Sequence, residues 1–327
     1  MNLWVSSQLL KNFNLLSKHL QLVSVIIPTY NRSDQVVRAV KSVLNQTYQN
    51  LECIVIDDSS IDDTVHQLNT IKNSDSRLTI LVHDNNQHAS AARNTGIAVA
   101  AGDYIAFLDD DDVWMEGKLS KQVELLSSAS DDVGLVYCWF VIIDGDDKVG
   151  SRKPELEGYL FDELLVGQPL GNASTLLIKK NVINRIGGFD TNLPRGNDGD
   201  FIRRVTKYYK VKVVKETLVE YHIEHIGSNP RISLPNKKGI LNDLKSIEIK
   251  LEKFSGDFNC KPDQHIQVLL TLFQKYVSIG RYTKSFKIYK KALMIDGASN
   301  KHYLLTIALV RSFKSLARSV LFKIKVE

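Results

Sequence analysis

The chain has few of the residues that stabilise small secreted proteins, with 3 cysteines among 327 residues. They lie far apart and fit no metal-ligand spacing, and Cys53 and Cys138 stand inside apolar runs. We therefore expect buried thiols rather than disulfides, as in a reducing compartment. No apolar run approaches the ~18 residues of a membrane-spanning helix. The start shows no basic stretch followed by an apolar core and a cleavage site, so we expect a cytoplasmic protein.

Two further absences limit the chemistry. Nucleotidyltransferases share an α/β sheet with an acidic metal site, but they usually carry a Gly-rich phosphate loop with Lys or Arg after the first strand. That place holds Pro28 to Arg32 here, which argues against this class. No Ser/His/Asp or Cys/His nucleophile arrangement stands out. No recognised nucleic-acid-binding fold accompanies the basic charge, so nucleic acid is not an expected partner.

Composition and charge indicate a globular protein with two unlike parts. Hydrophobic residues make up 43% and charged residues 24%, which is ordinary for a soluble domain. The net charge of +5 is unevenly distributed, because residues 237–327 hold 18 Lys/Arg against 7 Asp/Glu. That region carries +11, which leaves −6 for the first 236 residues. The basic part therefore serves a different partner from the acidic part.

The first half alternates predicted strands with predicted helices, which indicates βαβ units and a mainly parallel sheet. The predicted strands are Val23–Ile27, Leu51–Ile56, Leu78–Val82 and Tyr104–Leu108. Helices are expected from Ser33, from Asp62 to about Lys72, and from Ala89 to Ala101. In such sheets, ligands bind beyond the carboxyl ends of the strands. Three polar clusters follow strand ends and should converge there: Thr29–Arg32, Asp57–Ser60 and Asp109–Asp112.

The second half is less regular and ends in a helical region. We expect a helix at Lys118–Leu126, a loose excursion from Ser151 to Gly171, and a helix after Asp200. The expected strands are Gly134–Ile143, Ser174–Ile178, Val211–Val214 and Leu218–His222. From about residue 238 the apolar periodicity is helical. We therefore expect a helical extension at 1–21, an α/β domain at 22–235 and a basic α-helical region at 236–327.

The four consecutive carboxylates of Asp109–Asp112 are the most informative feature of the chain. Packing gives no reason to place four negative charges at one strand end, since like charges repel unless they share a cation. Hard ions such as Mg²⁺ take oxygen ligands and keep substrate phosphates in their shell. A solvated acidic loop is the alternative for an isolated run. The neighbouring polar clusters favour a metal–diphosphate site.

Four motifs in order resemble those of the family 2 glycosyltransferases: Val25–Arg32 (VIIPTYNR), Ile54–Ser60 (IVIDDSS), Ala92–Asn94 (ARN) and Phe107–Asp112 (FLDDDD). The resemblance covers roughly residues 22 to 228. It implies a GT-A fold, an α/β nucleotide-sugar-binding domain, and sugar transfer with inversion. It also implies a nucleotide-sugar donor, UDP-linked by analogy. The acceptor would be a glycan or lipid-linked molecule in cell-surface polysaccharide synthesis, and the enzyme a hexosyl- or N-acetylhexosaminyl-transferase.

On the nucleotide side, the resemblance assigns Thr29, Tyr30 and Arg32 to the donor pocket, with Tyr30 against the base. An aromatic face stacks on a base with roughly 1–3 kcal/mol. Asp58 would accept a hydrogen bond from the base imide, with Asp57 beside it. Either aspartate has an alternative role as the cap of the next helix.

On the phosphate side, Arg93 would pair with diphosphate oxygens, or else form a salt bridge with a local aspartate. Asp111 would be the direct ligand of Mg²⁺ or Mn²⁺, and Asp109 or Asp110 would reach the ribose or the sugar. Asp110 stands where the family often has a small residue. Trp114 is either an acceptor-side residue or a packing anchor.

The segment Arg195–Asp200 (RGNDGD) resembles the acidic pair that supplies the catalytic base of the family. Asp198 keeps the second position of the pair and is the expected base, while Asn197 replaces the first acid. Asp200 is the second candidate for the base, or else a helix-capping carboxylate. His222 or His225 falls where members often carry a histidine near the donor phosphates, although a structural role is equally open.

The end of the chain is strongly basic, with eleven Lys/Arg and one acid between residues 281 and 325. An amphipathic basic helix can lie on the inner face of an anionic membrane. The alternative is a helical hairpin that packs on itself and displays a solvated basic face. A non-catalytic nucleotide-sugar or membrane-binding module remains the alternative function, because Asn197 departs from the family pattern.

Overall fold

The computed structural model describes residues 21–167, 170–223, 237–302 and 304–309. The expected extension before residue 21, the expected boundary at 235, His225 and the residues beyond 309 lie outside this part. The described chain divides into two compact units. The first contains residues 21–161, 170–191 and 198–223, and the second contains the remainder.

The first half of the first unit is the predicted alternation of strands and helices. Its strands are β1 (Val23–Thr29), β2 (Leu51–Asp57), β3 (Leu78–Val82) and β4 (Tyr104–Phe107). Its helices are α1 (Ser33–Leu44), α2 (Thr64–Lys72) and α3 (His88–Val99). All four strands are parallel, in the order β3-β2-β1-β4. Their carboxyl ends therefore meet at one edge, as predicted.

Strand β1 continues through Pro28, where the sequence predicted its end. Pairing of β1 with β4 stops at Ile26, whereas pairing with β2 continues through Pro28 to Thr29. A proline is tolerated at this position because the strand is ending and few ladder hydrogen bonds depend on it. Thr29 is thereby held beside Asp57.

The second half adds five strands to the same sheet: β5 (Val113–Trp114), β6 (Val133–Asp144), β7 (Asp147–Arg152), β8 (Leu177–Lys179) and β9 (Lys210–His222). The helical elements in this stretch of sequence are α4 (Lys118–Ser128), α5 (Phe161–Leu165), a 3-10 turn (Ala173–Thr175), α6 (Lys180–Ile186) and α7 (Asn197–Thr206). Apart from Phe161, α5 belongs to the second unit. The full order is β3-β2-β1-β4-β8-β6-β9-β5, with β7 on β6. β8 runs antiparallel to β4 and β6. The two short strands predicted between Val211 and His222 form one continuous strand.

Helix α3 packs closely on the centre of the sheet because its residues are small. A Cβ added at Gly96 would come 2.4 Å from the Ile26 side chain, so no larger residue fits. This close approach brings α3 against β1, and Arg93 of α3 reaches Asp109, just beyond β4. Cys53 and Cys138 are buried free thiols, as predicted.

The second unit is helical, as expected, with α8 (Lys237–Lys253), α9 (Ser255–Asn259), α10 (Pro262–Ser278) and α11 (Tyr282–Leu293). Helices α10 and α11 form a hairpin with an apolar core that includes Ile266, Phe273 and Ala292. The rings of Phe273 and Tyr289 lie 5.3 Å apart. Within the described ranges, no helix is long and apolar enough to cross a bilayer.

Candidate active site

The loops at the sheet edge contain strained backbone. Asn31, Ser59 and His88 have positive φ angles of 51°, 69° and 69°, which non-glycine residues rarely adopt. The Asn31 N–H donates to Ser60 Oγ at 2.8 Å, and the Ile61 N–H donates to Asn31 Oδ1 at 2.8 Å. These bonds join the β1 and β2 loops. Strain of this kind persists where surrounding contacts enforce it, typically at a ligand site.

Asp57 and Asp58 end β2 with different partners. Asp58 accepts hydrogen bonds from the N–H groups of Gln87 at 2.9 Å and His88 at 2.7 Å, so it caps α3. Asp57 accepts one bond from the Ser60 N–H at 2.9 Å through Oδ2, while its buried Oδ1 has no hydrogen-bond partner. Neither aspartate caps the next helix, α2, as was expected of one of them, because the Thr64 N–H of that helix donates to Asp62 at 3.1 Å. Asp58 instead binds the start of α3, and Asp57 offers the available oxygen.

His83 lies between Asp58 and α3 and was not singled out from the sequence. Its Nδ1 is 2.7 Å from Asp58 Oδ1, and its Nε2 is 3.0 Å from Thr95 Oγ1. The only sequence signal was a polar residue directly after a strand. The contact fixes the ring between the sheet edge and the helix.

The acidic cluster begins with a buried network around Asp110. Thr29 Oγ1 donates to Asp110 at 2.9 Å, and Arg32 Nη1 donates to Asp110 at 2.7 Å and to Asp111 at 3.0 Å. Burial raises the pKa of Asp110 to about 6, against the opposing effect of Arg32. Two expected nucleotide-side residues, Thr29 and Arg32, thus hold the acidic cluster directly.

Asp109, Asp111 and Asp112 bring one carboxylate oxygen each within 4.8 Å of one another. Asp110 accepts hydrogen bonds from Thr29 and Arg32, and Asp112 was expected only as part of the acidic run, with no individual role. Asp112 Oδ2 accepts hydrogen bonds from Ser174 Oγ at 2.6 Å and Asn172 Nδ2 at 3.1 Å. Three hard oxygen donors in this space fit a Mg²⁺ or Mn²⁺ ion.

Arg93 is buried on the first turns of α3 and pairs with Asp109, with 2.5 Å between Nη2 and Oδ1. Its guanidinium lies over the Phe189 ring, 5.1 Å from the centroid. Burial opposes the charge, but Asp109, Asp198 and Asp110 outweigh it and raise the pKa of Arg93. Of the two alternatives for Arg93, the structure shows the pair with a local aspartate.

Asp198 lies in the first turn of α7, across from this pair. It accepts a hydrogen bond from the Ala173 N–H at 3.2 Å. Burial raises the pKa of Asp198, and Arg93 opposes that effect. Asp200 is buried and pairs with Arg204, whose guanidinium also donates to the carbonyls of Ile186, Gly187 and Gly188. Asp200 therefore braces the chain before α7, and Asp198 faces the acidic cluster.

A set of aromatic rings holds these elements together. Phe189 stacks on Phe201 with centroids 4.5 Å apart and meets Phe107 edge-on at 5.0 Å. Asn94 donates to the Phe189 carbonyl at 2.9 Å and accepts from its N–H at 2.7 Å, so it braces the backbone. These contacts connect α3, α7 and the end of β4.

The remaining candidates are Trp114 on β5, Tyr30 after β1 and His222 at the end of β9. Trp114 is 3% exposed, and its Nε1 donates to the Ser174 carbonyl at 2.8 Å, so it is a packing anchor. Tyr30 is half-buried just beyond β1. His222 ends β9, with Nε2 3.3 Å from Glu220 Oε2. Because β5 runs antiparallel to β9 with Val113 opposite Glu220, His222 lies toward the acidic end of β5.

The family comparison agrees with this arrangement. The family model described as glycosyl transferase family 2 matches residues 24–189. This chain belongs to that family. The UDP-Glc:alpha-D-GlcNAc-diphosphoundecaprenol beta-1,3-glucosyltransferase WfgD of Escherichia coli is 38% identical over 261 residues, which span 79% of this chain and 93% of that protein. The predicted family and the glycosyltransferase activity are confirmed.

Solved structures show the fold of this glycosyltransferase. TarS (residues 1–349) of S. aureus in complex with UDP-GlcNAc matches with a TM-score of 0.54 and 17% identity, covering 91% of this chain and 92% of that one. The mannosyltransferase PcManGT of Pyrobaculum calidifontis in complex with GDP-Man and Mn²⁺ matches with a TM-score of 0.52 and 19% identity, covering 91% and 75%. The predicted GT-A fold is confirmed.

Proposed function

We propose that this family 2 glycosyltransferase is metal-dependent, inverts the anomeric centre and uses a UDP-sugar. The observation that carries the proposal is the placement of Asp198 opposite the Asp109–Asp112 cluster, with Arg93 between them. Arg93 pairs with Asp109 and interacts electrostatically with Asp198. A base and a diphosphate-binding edge on opposite sides of one crevice suit a single in-line displacement.

Asp198 is assigned as the base that takes the proton of the acceptor hydroxyl as that hydroxyl attacks the anomeric carbon. General-base assistance of this kind contributes typically about 10²–10⁴ in rate. Its raised pKa makes the carboxylate a stronger proton acceptor than an ordinary aspartate. Asn197 precedes it and keeps only hydrogen-bonding capacity, so proton removal depends on Asp198.

Asp109, Asp111 and Asp112 would hold the divalent ion, which supplies charge stabilisation to the departing diphosphate. Arg93 and Arg32 already neutralise part of the acidic cluster. When a donor diphosphate binds, these cations can also face its oxygens, and the Phe189 ring packs against the Arg93 guanidinium.

The nucleoside would lie over the ends of β1 and β2. Tyr30 offers a ring for the base, and Asp57 Oδ1 offers a buried acceptor for the imide N–H. We assign the imide contact to Asp57 and treat Asp58 as its support, since Asp58 already serves the loop before α3. WfgD by its name uses UDP-Glc, whereas PcManGT was solved with GDP-Man, so UDP follows the relative of higher identity.

The acceptor is proposed to be a lipid-linked saccharide diphosphate, the acceptor class in the name of WfgD. Such an acceptor stays at a membrane surface. The exposed face of α11 suits that surface, because it combines apolar side chains with Lys284, Lys287, Lys290 and Lys291 and contains no acid. Its exposed apolar residues are Tyr282 at 54%, Phe286 at 57%, Leu293 at 44% and, just beyond the helix, Met294 at 81%.

The opposite face of α11 is occupied by the hairpin core. Ser285 and Ala292 are buried, and Tyr289 packs on Phe273. The apolar outer face is therefore not needed for the hairpin. Lys290 lies 4.9 Å from the centroid of the Phe286 ring, so cationic and apolar groups share one surface. We assign this surface to an anionic lipid bilayer.

The first test is isothermal titration of the purified protein with UDP, GDP and CDP, with and without Mn²⁺. We expect UDP to bind, and to bind more tightly with Mn²⁺. Transfer is then assayed from UDP-sugars to a synthetic lipid-linked GlcNAc diphosphate. Folded protein that binds no nucleotide would contradict the proposal, and binding of GDP alone would contradict the UDP assignment.

The membrane surface is tested by co-sedimentation with phosphatidylcholine vesicles with and without anionic phosphatidylglycerol, because basic segments bind to negatively charged bilayers. We expect binding to the anionic vesicles that weakens with salt and is lost in Phe286→Ser/Leu293→Ser. Val149→Ser, which changes an exposed apolar residue on β7, is the matched control. Equal binding of the double variant would exclude this surface. Self-association lost in that variant would make a second copy of the chain its occupant.

A further inference from the structure

The 3-10 turn before β8, with Asn172 in front of it, contacts both sides of the site. Ser174 Oγ donates to Asp112 Oδ2 at 2.6 Å and accepts a hydrogen bond from the Asp109 N–H at 3.1 Å. Asn172 Nδ2 donates to the same Asp112 oxygen at 3.1 Å. One hydroxyl thus fixes a side chain and a backbone position within the proposed metal-binding trio.

The residue beside Ser174 contacts the opposite side of the site. The Ala173 N–H donates to Asp198 Oδ2 at 3.2 Å, and this hydrogen bond favours the charged carboxylate. Adjacent residues of one short turn therefore contact the metal-side carboxylate and the proposed base. Any displacement of the turn changes the position of both groups together.

Side chains of β5 and α4 bind the backbone carbonyls of the turn and hold it in place. Trp114 Nε1 donates to the Ser174 carbonyl at 2.8 Å, and Gln122 Nε2 donates to the Thr175 carbonyl at 2.8 Å. Lys118 Nζ donates to Gln122 Oε1 at 2.7 Å and lies 3.7 Å from the centroid of the Trp114 ring. Ser174 and Thr175 are fully buried.

Within the turn, local geometry selects a glycine and a threonine. Thr175 Oγ1 donates to the Asn172 carbonyl at 2.8 Å, which closes the turn. A Cβ added at Gly171 would come 2.4 Å from Thr175 Oγ1, so the closed form requires glycine there. The orientation of Ser174 and Ala173 is therefore set by the sequence of the turn.

We infer that Ser174, supported by Asn172, is a positioning residue that orients Asp112 and Asp109 for a divalent cation, on the same turn whose Ala173 N–H binds Asp198. The inference rests on the proposed function, because it needs the carboxylate trio to bind the ion. Groups that orient metal ligands typically contribute 10–100-fold to metal affinity. Ser174 acts through the carboxylates and is assigned no contact with substrate.

The test is Mn²⁺ binding to the full chain without any substrate. Binding is measured from the decrease of the electron paramagnetic resonance signal of free Mn²⁺. We expect Ser174→Ala to weaken Mn²⁺ binding by about 10–100-fold. Asn172→Ala removes the second donor to Asp112 and should act in the same direction, with a smaller effect because Ser174 remains. Unfolding curves of each variant show whether it is folded.

Ser42→Ala is the matched control. Ser42 Oγ accepts a hydrogen bond from the Trp114 N–H at 3.1 Å and donates to the Ala39 carbonyl at 2.7 Å, so its loss affects packing near the turn but no carboxylate. We expect this variant to bind Mn²⁺ like the wild type. If Ser174→Ala and Asn172→Ala also bind like the wild type, the inference is wrong. If the wild type binds no Mn²⁺, the metal-dependent function itself fails.

Discussion

The ends of β2 and β4 both present aspartates at the same edge of the sheet, but the two groups have different partners. At the end of β2, Asp58 is occupied by two backbone N–H groups and the His83 ring. At the end of β4, Asp109 and Asp111 are paired with arginine side chains. Backbone donors fix a carboxylate as part of the fold. Arginine side chains can turn toward an arriving diphosphate, so the β4 end keeps carboxylates for chemistry.

The largest expected effect concerns the base that faces the β4 end. Asp198→Asn keeps the size of the side chain and removes its ability to accept a proton. We expect the rate of sugar transfer to fall by about 10²–10⁴, with UDP binding unchanged. The measurement is steady-state transfer from a UDP-sugar, together with UDP titration of the same preparation.

Asp200→Asn is the control for that prediction. Asp200 pairs with Arg204 and stands two residues from Asp198 on the same helix. We expect this variant to lose stability in urea unfolding while the folded fraction keeps its turnover number. The assignment of Asp198 would be wrong if Asp198→Asn retained full turnover, or if Asp200→Asn alone abolished it.

The parallel half of the sheet and the convergence of its polar clusters were predictable from the sequence. Apolar β-branched runs and helix periodicity recur at regular spacing there, so local pattern and tertiary structure agree. Thr29, Arg32 and Asp110 were expected near one another because three strand ends meet at one edge, and they are in direct contact. Short-range pattern was sufficient wherever the chain formed βαβ units.

The different hydrogen-bond partners of the aspartates could not be predicted from the sequence. Asp58 and Asp57 are identical neighbours, and only the path of the β3–α3 loop decides that Asp58 receives its backbone donors. Ser174 reaches Asp112 across 62 residues of sequence, and nothing near either residue signals the contact. The sequence predicted a strand from Ser174, whereas Ala173–Thr175 is a 3-10 turn, because its hydroxyl and carbonyl groups are used by distant partners.

A second prediction extends the comparison to the buried cations around the β4 end. Arg93 has Asp109 as a partner, whereas Lys118 is fully buried beside Trp114 and donates to neutral Gln122. Burial lowers the pKa of Lys118 from 10.5 to about 8. The unfolded chain therefore binds this proton more tightly. The contribution of Lys118 to the free energy of unfolding should therefore rise between pH 8 and 10.5, by roughly 3 kcal/mol.

Lys118→Met removes this titration and keeps the length of the side chain. Urea unfolding of both proteins at several pH values between about 8 and 10.5, the two pKa values of this group in the folded and unfolded chain, gives the comparison. We expect the stability of the wild type relative to Lys118→Met to increase with pH. A difference that stays constant across this range would show that Lys118 is not a destabilised buried cation.

The smallest expected effect separates the two aspartates of the β2 end. Asp58→Ala removes the acceptor of the Gln87 and His88 N–H groups, so unfolding free energy should fall by about 1.5–3 kcal/mol, the range for hydrogen bonds to a charged group. Asp57→Ala removes one hydrogen bond from the Ser60 N–H. It also removes the Oδ1 atom that is assigned to the imide N–H of the nucleobase. Compared with Asp58→Ala, it should weaken UDP binding more and lower the free energy of unfolding less. Equal effects of both substitutions on UDP binding and on urea unfolding would remove the distinction between a structural and a binding carboxylate at this strand end.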